Sequence, residues 1–246
     1  MSKPALIFAP GAWCPPTIFD SLIEKLDDYD CHTVSFPSVQ EPKSVQDLEP
    51  DIAAVRSLVE KAADAGQDVF VIAHSWAGVP VNSALDGVAK YERESSGKKG
   101  GVVRIIFISA VIPALGESLV GLFGGAPPPW FVRDEPNGTV MPSDPQALFF
   151  HDVPDGAEWA KTLRPHAWVT NTAPATNAAY LELPASYLLC EDDQAFPLPV
   201  QQVMVERAKR KGGLINTEKI KASHFPWLSQ ADEVASYIRR QTAGTD

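Results

Sequence analysis

Short apolar runs alternate with longer amphipathic ones along most of this 246-residue chain, and that alternation limits the fold more than any other feature. The runs Ala5–Ala9, His32–Phe36, Val69–Ala73, Val103–Ser109, Ser186–Cys190 and Leu214–Ile220 are rich in Val, Ile, Leu and Phe. Glycine, proline or polar residues bound them, as they bound buried strands. Between them, apolar residues recur at helical spacing: Ile18, Phe19, Leu22, Ile23 and Leu26, then Ile52, Val55, Val59, Ala62 and Ala63. Further helices are expected just after Ser75, over Val200–Lys211 and over Ala231–Arg240. Strands separated by helices are joined by crossovers, so the expected class is α/β, with a mostly parallel central sheet and helices on both faces.

Two stretches break the pattern. Residues 91–101, YERESSGKKGG, read as a charged surface loop ahead of the strand at Val103. From Pro113 to Pro184 the alternation stops; this interval holds 11 of the 22 prolines, together with Trp130, Trp159 and Trp168. Runs such as GGAPPPW are neither helix nor central strand, because proline lacks an N–H and fixes φ. The interval is expected to be an excursion over one face of the sheet, within a single domain covering residues 1–246.

Charge narrows the partners. A net charge of −10 would be repelled by nucleic acid and by anionic membranes. The start, MSKPALIFAP, reads as a first strand rather than a signal peptide, and no segment approaches the roughly 18 apolar residues that span a bilayer. Cys14, Cys31 and Cys190 are odd in number and far apart, giving neither a disulfide framework nor a zinc spacing. A cytoplasmic protein with a small-molecule partner is expected, and a homodimer is the one assembly left open.

Three places carry chemistry. In VFVIAHSWAGVPV an apolar run ends abruptly at Ser75, with Ala73 two residues before, Ala77 two after, and Gly78 just beyond. That is either a serine-capped strand-to-helix turn or a nucleophile held in a strained elbow, where small neighbours let strand and helix approach. His74, beside it, points another way and is expected to support the turn. In KASHFPWLSQADEVASYI, His224 falls in a loop ahead of the last helix, where a general base has room to reach the serine. In YLLCEDDQAFPLP a strand ends in two adjacent aspartates, Asp192 and Asp193, either of which could orient the histidine. The first strand is followed by FAPGAWCPP, where Gly11 lets the backbone come close. An oxyanion hole would take one N–H from Trp76 and a second from Ala12 or Trp13.

The order serine, acid, histidine at the ends of these elements is that of the α/β-hydrolases. With PGAW near the start, HS-x-x-G at the elbow, LLC-x-x-D-x-A-x-P at the acid and ASH-x-P-x-LS at the histidine, the chain resembles small members of that superfamily. These include plant methylesterases, hydroxynitrile lyases and fungal and bacterial hydrolases of similar length, and the resemblance covers nearly the whole chain. In the acid motif the proline lies four residues past the aspartate, which selects Asp193, with Asp192 in reserve. The resemblance implies an α/β-hydrolase fold, a Ser75–His224–Asp193 triad, no metal, no organic cofactor, and a cap formed by residues 113–184. Trp13, Trp130 and Trp227 are expected to line the pocket, and the cap to form a stiff aromatic roof.

The implied activity is hydrolysis of a small apolar or aromatic carboxylic ester or lactone through an acyl-enzyme, with the Trp76 and Ala12 N–H groups binding the oxyanion. The alternatives are a lyase or cyclase on the same triad, or a ligand-binding protein with little turnover. Hydroxynitrile lyases depend on a lysine just after the histidine and a threonine in the first loop. Phe225 and Gly11 stand in those places, against cyanohydrin chemistry. Pro10 replaces the histidine many relatives carry in this loop, Ala77 replaces a usual glycine, and Trp76 is bulky. The last two narrow the acyl side of the pocket.

Overall fold

Burial decides where the strands lie. In the computed structural model, which describes residues 3–243, the apolar runs pair as a six-stranded sheet. Its strands are β1 (Ala5–Ala9), β2 (Asp30–Thr33), β3 (Asp68–His74), β4 (Gly101–Ile108), β8 (Ala185–Cys190) and β9 (Ile215–Ile220), in the spatial order β2-β1-β3-β4-β8-β9. Every pairing is parallel. Val69, Phe70, Val71, Ile72 and Ala73 in β3 are all fully buried, which explains why the run is continuously apolar rather than alternating. Helices α1 (Glu49–Asp64), α2 (Gly78–Ala84), α3 (Lys90–Ser95), α4 (Leu119–Leu122), α5 (Leu198–Arg210) and α6 (Ala231–Thr242) are the main helical pieces around it. The expected helix near residues 18–26 is a 3-10 turn, Pro16–Phe19, running into the short helix Asp20–Ile23.

Two expectations are corrected. The second strand lies at Asp30–Thr33, not His32–Phe36. Val34 makes one last bond to β1, donating its N–H to the Phe8 carbonyl (2.8 Å), and Phe36 lies beyond the strand. Both stay buried, and Phe36 meets the Trp76 ring edge-on at 5.2 Å, so part of the apolarity read as strand is packing around the elbow. Residues 91–101 are not a loop throughout: Lys90–Ser95 is helix α3, and Gly101 already opens β4. Glu92 Oε2 accepts the N–H of Ala89 at the helix start (3.3 Å). The buried Arg93 donates to the Gly100 carbonyl (2.9 Å) and to Asp64 (2.6 Å). One desolvated arginine with two acceptors thus ties down a segment that composition alone marks as solvated. The helix expected just after Ser75 is in place: a single 3-10 turn, Ser75–Ala77, runs into α2 at Gly78.

Residues 113–184 form a second, antiparallel sheet of β5 (Phe131–Asp134), β6 (Thr139–Pro142) and β7 (His166–Ala167), together with short helices. No helix among the described residues is long and apolar enough to cross a membrane. Cys14, Cys31 and Cys190 are free thiols.

In space β1 lies between β2 and β3, so the loops after β1 and β3 part at a switch point in strand order, where open α/β sheets bind ligands. Ser75 sits there with φ 55°, in the left-handed region. Gly78 allows this turn to close: a Cβ on it would lie 1.8 Å from the Val111 carbonyl oxygen. Val111 in turn donates its N–H to the Ser75 carbonyl at 3.0 Å. Gly78→Ala forces these segments apart and is expected to cost about 2 kcal/mol, lowering the thermal midpoint by roughly 4–8 °C. Thermal denaturation checks this; an unchanged midpoint would contradict it.

Candidate active site

Ser75 does not cap the helix that follows it. Its Oγ instead lies 2.9 Å from His224 Nε2, delivered by the loop after β9. His224 Nδ1 lies 2.7 Å from Asp193 Oδ2, delivered by the loop after β8. A carboxylate accepts, so the ring proton sits on Nδ1 and Nε2 is free to take the serine proton. Of the two adjacent aspartates, Asp193 is the buried one facing His224, while Asp192 is partly exposed and donates its N–H to the Ala222 carbonyl. Asp193 Oδ1 accepts the N–H groups of Ala195 (2.8 Å) and Phe196 (2.9 Å), which orients the carboxylate before any substrate arrives.

Three supports were not apparent in the sequence. Ser109, at the end of β4 with φ 42°, donates its hydroxyl to Asp193 Oδ2 and lies 3.3 Å from His224 Nδ1. Gln201, fully buried in α5, accepts the Cys190 N–H (3.0 Å) and donates to the carbonyls of Cys190 (2.9 Å) and Phe196 (2.6 Å). One amide therefore pins both ends of the acid loop. Asp152 accepts the Ser223 N–H (2.8 Å) and the Ser229 hydroxyl (3.0 Å), bracketing the histidine loop. None of the three has a sequence signal beyond being polar.

His74 supports the turn. Its Nε2 donates to the His224 carbonyl at 2.9 Å, linking the elbow to the histidine loop. Burial, aided by the neighbouring His224, pushes its imidazole well below the ordinary histidine range, so it stays neutral. Gly11 is needed at this contact: a Cβ there would come within 2.9 Å of both His74 Nδ1 and Ser75 Cβ.

The tryptophans divide. Trp13, Trp76 and Trp130 line the cavity over Ser75 with Ala12, Phe131 and Phe149. Trp13, itself at φ 68°, stacks on Phe149 (5.8 Å) and donates Nε1 to the Val140 carbonyl (2.8 Å), joining the first loop to the 113–184 segment. Trp227, expected at the pocket, is fully buried elsewhere: it packs on Phe19 at 4.5 Å and donates to the Ile18 carbonyl at 2.8 Å. Trp159 and Trp168 do not line the cavity either; Trp168 faces the Arg133 guanidinium at 4.5 Å.

The sequence pattern of the alpha/beta hydrolase family matches residues 6–237. The chain belongs to that family. An alpha/beta hydrolase, nvfD, from Aspergillus novofumigatus is 33% identical, covering 97% of this chain and 96% of its own. Among solved structures, a pyrethroid hydrolase from Sphingobium faniae superposes with a TM-score of 0.76 at 17% identity, covering 97% of each chain. A methylesterase from Arabidopsis does so with a TM-score of 0.72 at 17% identity, covering 98% of this chain and 99% of that one. The α/β-hydrolase fold and the likeness to plant methylesterases and fungal hydrolases are therefore as the sequence indicated.

Behind Trp76, this α/β-hydrolase buries a second polar cluster. His166, fully buried, meets the Trp76 ring edge-on at 4.5 Å. Asn171 donates to its Nδ1 (3.2 Å), which leaves the ring proton on Nε2, between the hydroxyls of Ser38 (3.1 Å) and Thr170 (3.2 Å). Burial pushes its pKa from the ordinary 6.5 down to about 3. The neutral form's contribution to stability is full above about 6.5 and is lost as pH falls toward 3, at roughly 1.4 kcal/mol per pH unit. Asp51, raised by burial to about 6, acts in the opposite sense, favouring the fold as pH falls from 6 toward 3.8. His166→Gln keeps a hydrogen-bonding side chain but removes the titration. With the Asp51 contribution left uncompensated, urea unfolding at pH 6, 5 and 4 should give a stability-against-pH slope more negative than wild type's by about 1.4 kcal/mol per unit; equal slopes would contradict this.

Proposed function

We propose that this protein is a serine hydrolase acting on a small, apolar or aromatic carboxylic ester or lactone. One observation carries the reading: a serine at φ 55° whose Oγ meets His224 Nε2 at 2.9 Å, while the same ring meets Asp193 at 2.7 Å. That is the geometry of an activated nucleophile, with a base in reach of the serine and a third group orienting the base.

In the proposed reaction Ser75 Oγ attacks the ester carbonyl and passes its proton to His224 Nε2. Asp193 holds the ring's tautomer and stabilises the imidazolium. The N–H groups of Trp76 and Ala12, on the two loops that converge over the serine, bind the oxyanion; removing one such donor costs about 3–4 kcal/mol in comparable sites. His224 then returns the proton to the departing alcohol, leaving an acyl-Ser75 that water cleaves by the same relay in reverse. Residues 113–184 act as the cap, supplying Leu119, Phe123, Trp130, Phe131 and Phe149 to the cavity wall.

The lining supports an apolar substrate. Apart from Ser75 and His224 the cavity wall is aromatic and aliphatic, so it offers area and shape but no charge to recognise. The names of the fold neighbours, a pyrethroid hydrolase and a methylesterase, are in keeping with ester chemistry. The test is a panel of short-chain p-nitrophenyl esters and aromatic lactones with Ser75→Ala as control. Turnover should fall on the order of 10⁴-fold or more in the variant. Turnover that persists in Ser75→Ala would sink the reading.

A further inference from the structure

The cavity over Ser75 encloses about 10 Å³, room for roughly one water and for no ester. Part of its wall is a pair of parallel rings, Phe123 and Phe196, with centroids 5.7 Å apart and planes 8° apart. Those rings also border a larger groove of about 90 Å³, completed by Leu122, Val200, Val203 and Met204. The stacked pair thus lines both the cavity at the serine and a second apolar space.

The groove's chemistry is one-sided. Val203 is 64% exposed and Val200 38%, an apolar stretch of α5 facing solvent. Arg207 borders the groove too, but its guanidinium is committed, donating to Glu117 Oε1 (2.7 Å) and to the Ile112 carbonyl (2.9 Å). It therefore presents its alkyl stem rather than a free charge. The two rings differ in burial. Phe196 is fixed through its N–H to Asp193 and its carbonyl to Gln201. Phe123, half-buried where Phe196 is buried, caps the four-residue helix α4 with its N–H on the Val120 carbonyl (3.1 Å) and precedes Gly124 and Gly125, both at positive φ with open space beside them. Phe123 is the more exposed of the two rings.

We propose that this groove is a substrate subsite: the stack opens at Phe123, and an uncharged apolar arm of the ester passes beyond the ring to lie along Val200 and Val203. The inference rests on the hydrolase reading above and adds to it where the non-reacting part of the substrate goes. Continuity with the catalytic cavity through two shared rings assigns the groove to substrate.

Its test compares kcat/KM for p-nitrophenyl hexanoate and p-nitrophenyl acetate in wild type, Val203→Arg and Val200→Lys; both exposed positions tolerate charge without loss of the fold. Wild type should favour hexanoate by about tenfold or more, since each added methylene has apolar surface to bury. Either variant should cut that preference at least about fivefold. Turnover of both esters with an unchanged preference would overturn the subsite while leaving the hydrolase standing. No turnover of either ester by wild type would remove both. An unchanged preference accompanied by a dimer-to-monomer shift in sedimentation of Val203→Arg would give the face to a second copy of the chain, and would equally overturn the substrate assignment.

Discussion

The left-handed backbone of Ser75, φ 55°, is the constraint on which the rest of the site depends. A non-glycine residue in that region costs on the order of 1–3 kcal/mol and persists only where its surroundings over-determine it. Here they do so from three sides. β3 is held between β1 and β4 along its length. The Val111 N–H fixes the Ser75 carbonyl, and the absent side chain of Gly78 lets that contact form. Gly11 lets the first loop settle against His74 and Ser75. The strain turns Oγ away from the helix it would otherwise cap and toward the histidine loop.

The acid–base side is as firmly determined, but by hydrogen bonds rather than sterics. Asp193 accepts from two backbone N–H groups, from His224 and from Ser109. Donors that are already oriented stabilise charge without having to reorganise as the imidazolium forms. Gln201 and Asp152 anchor the two loops, and the His74 bond to the His224 carbonyl ties the elbow to the histidine. The 113–184 segment, by contrast, meets the site mainly through rings. Ring packing constrains shape, and Phe123 is more exposed than any member of the relay.

How much of this could be read from the chain depends on the range of the interaction. The parallel strands and the position of Ser75 were legible, because a fully buried β3 must be continuously apolar and an elbow needs small neighbours. Choosing Asp193 over Asp192 took the motif resemblance, since adjacent carboxylates differ only in which way they face. Ser109 and Gln201 were not legible: Ser109 meets an acid 84 positions away, and Gln201 acts through amide geometry that leaves no periodicity. Trp227 was misplaced because closeness in sequence to His224 says nothing about which side of the loop a ring takes. Helix α3 was hidden by its glycine-rich flank, and β2 by the apolar residues that pack around Trp76.

The central claim is that Ser75 carries the substrate's acyl group covalently. Acid quenching during turnover of p-nitrophenyl acetate, followed by intact-mass and peptide mapping, tests it directly. An acetyl adduct confined to the peptide bearing Ser75, and absent in Ser75→Ala, is expected. Turnover with the adduct on another residue, or with no adduct under conditions where deacylation limits the rate, would contradict it.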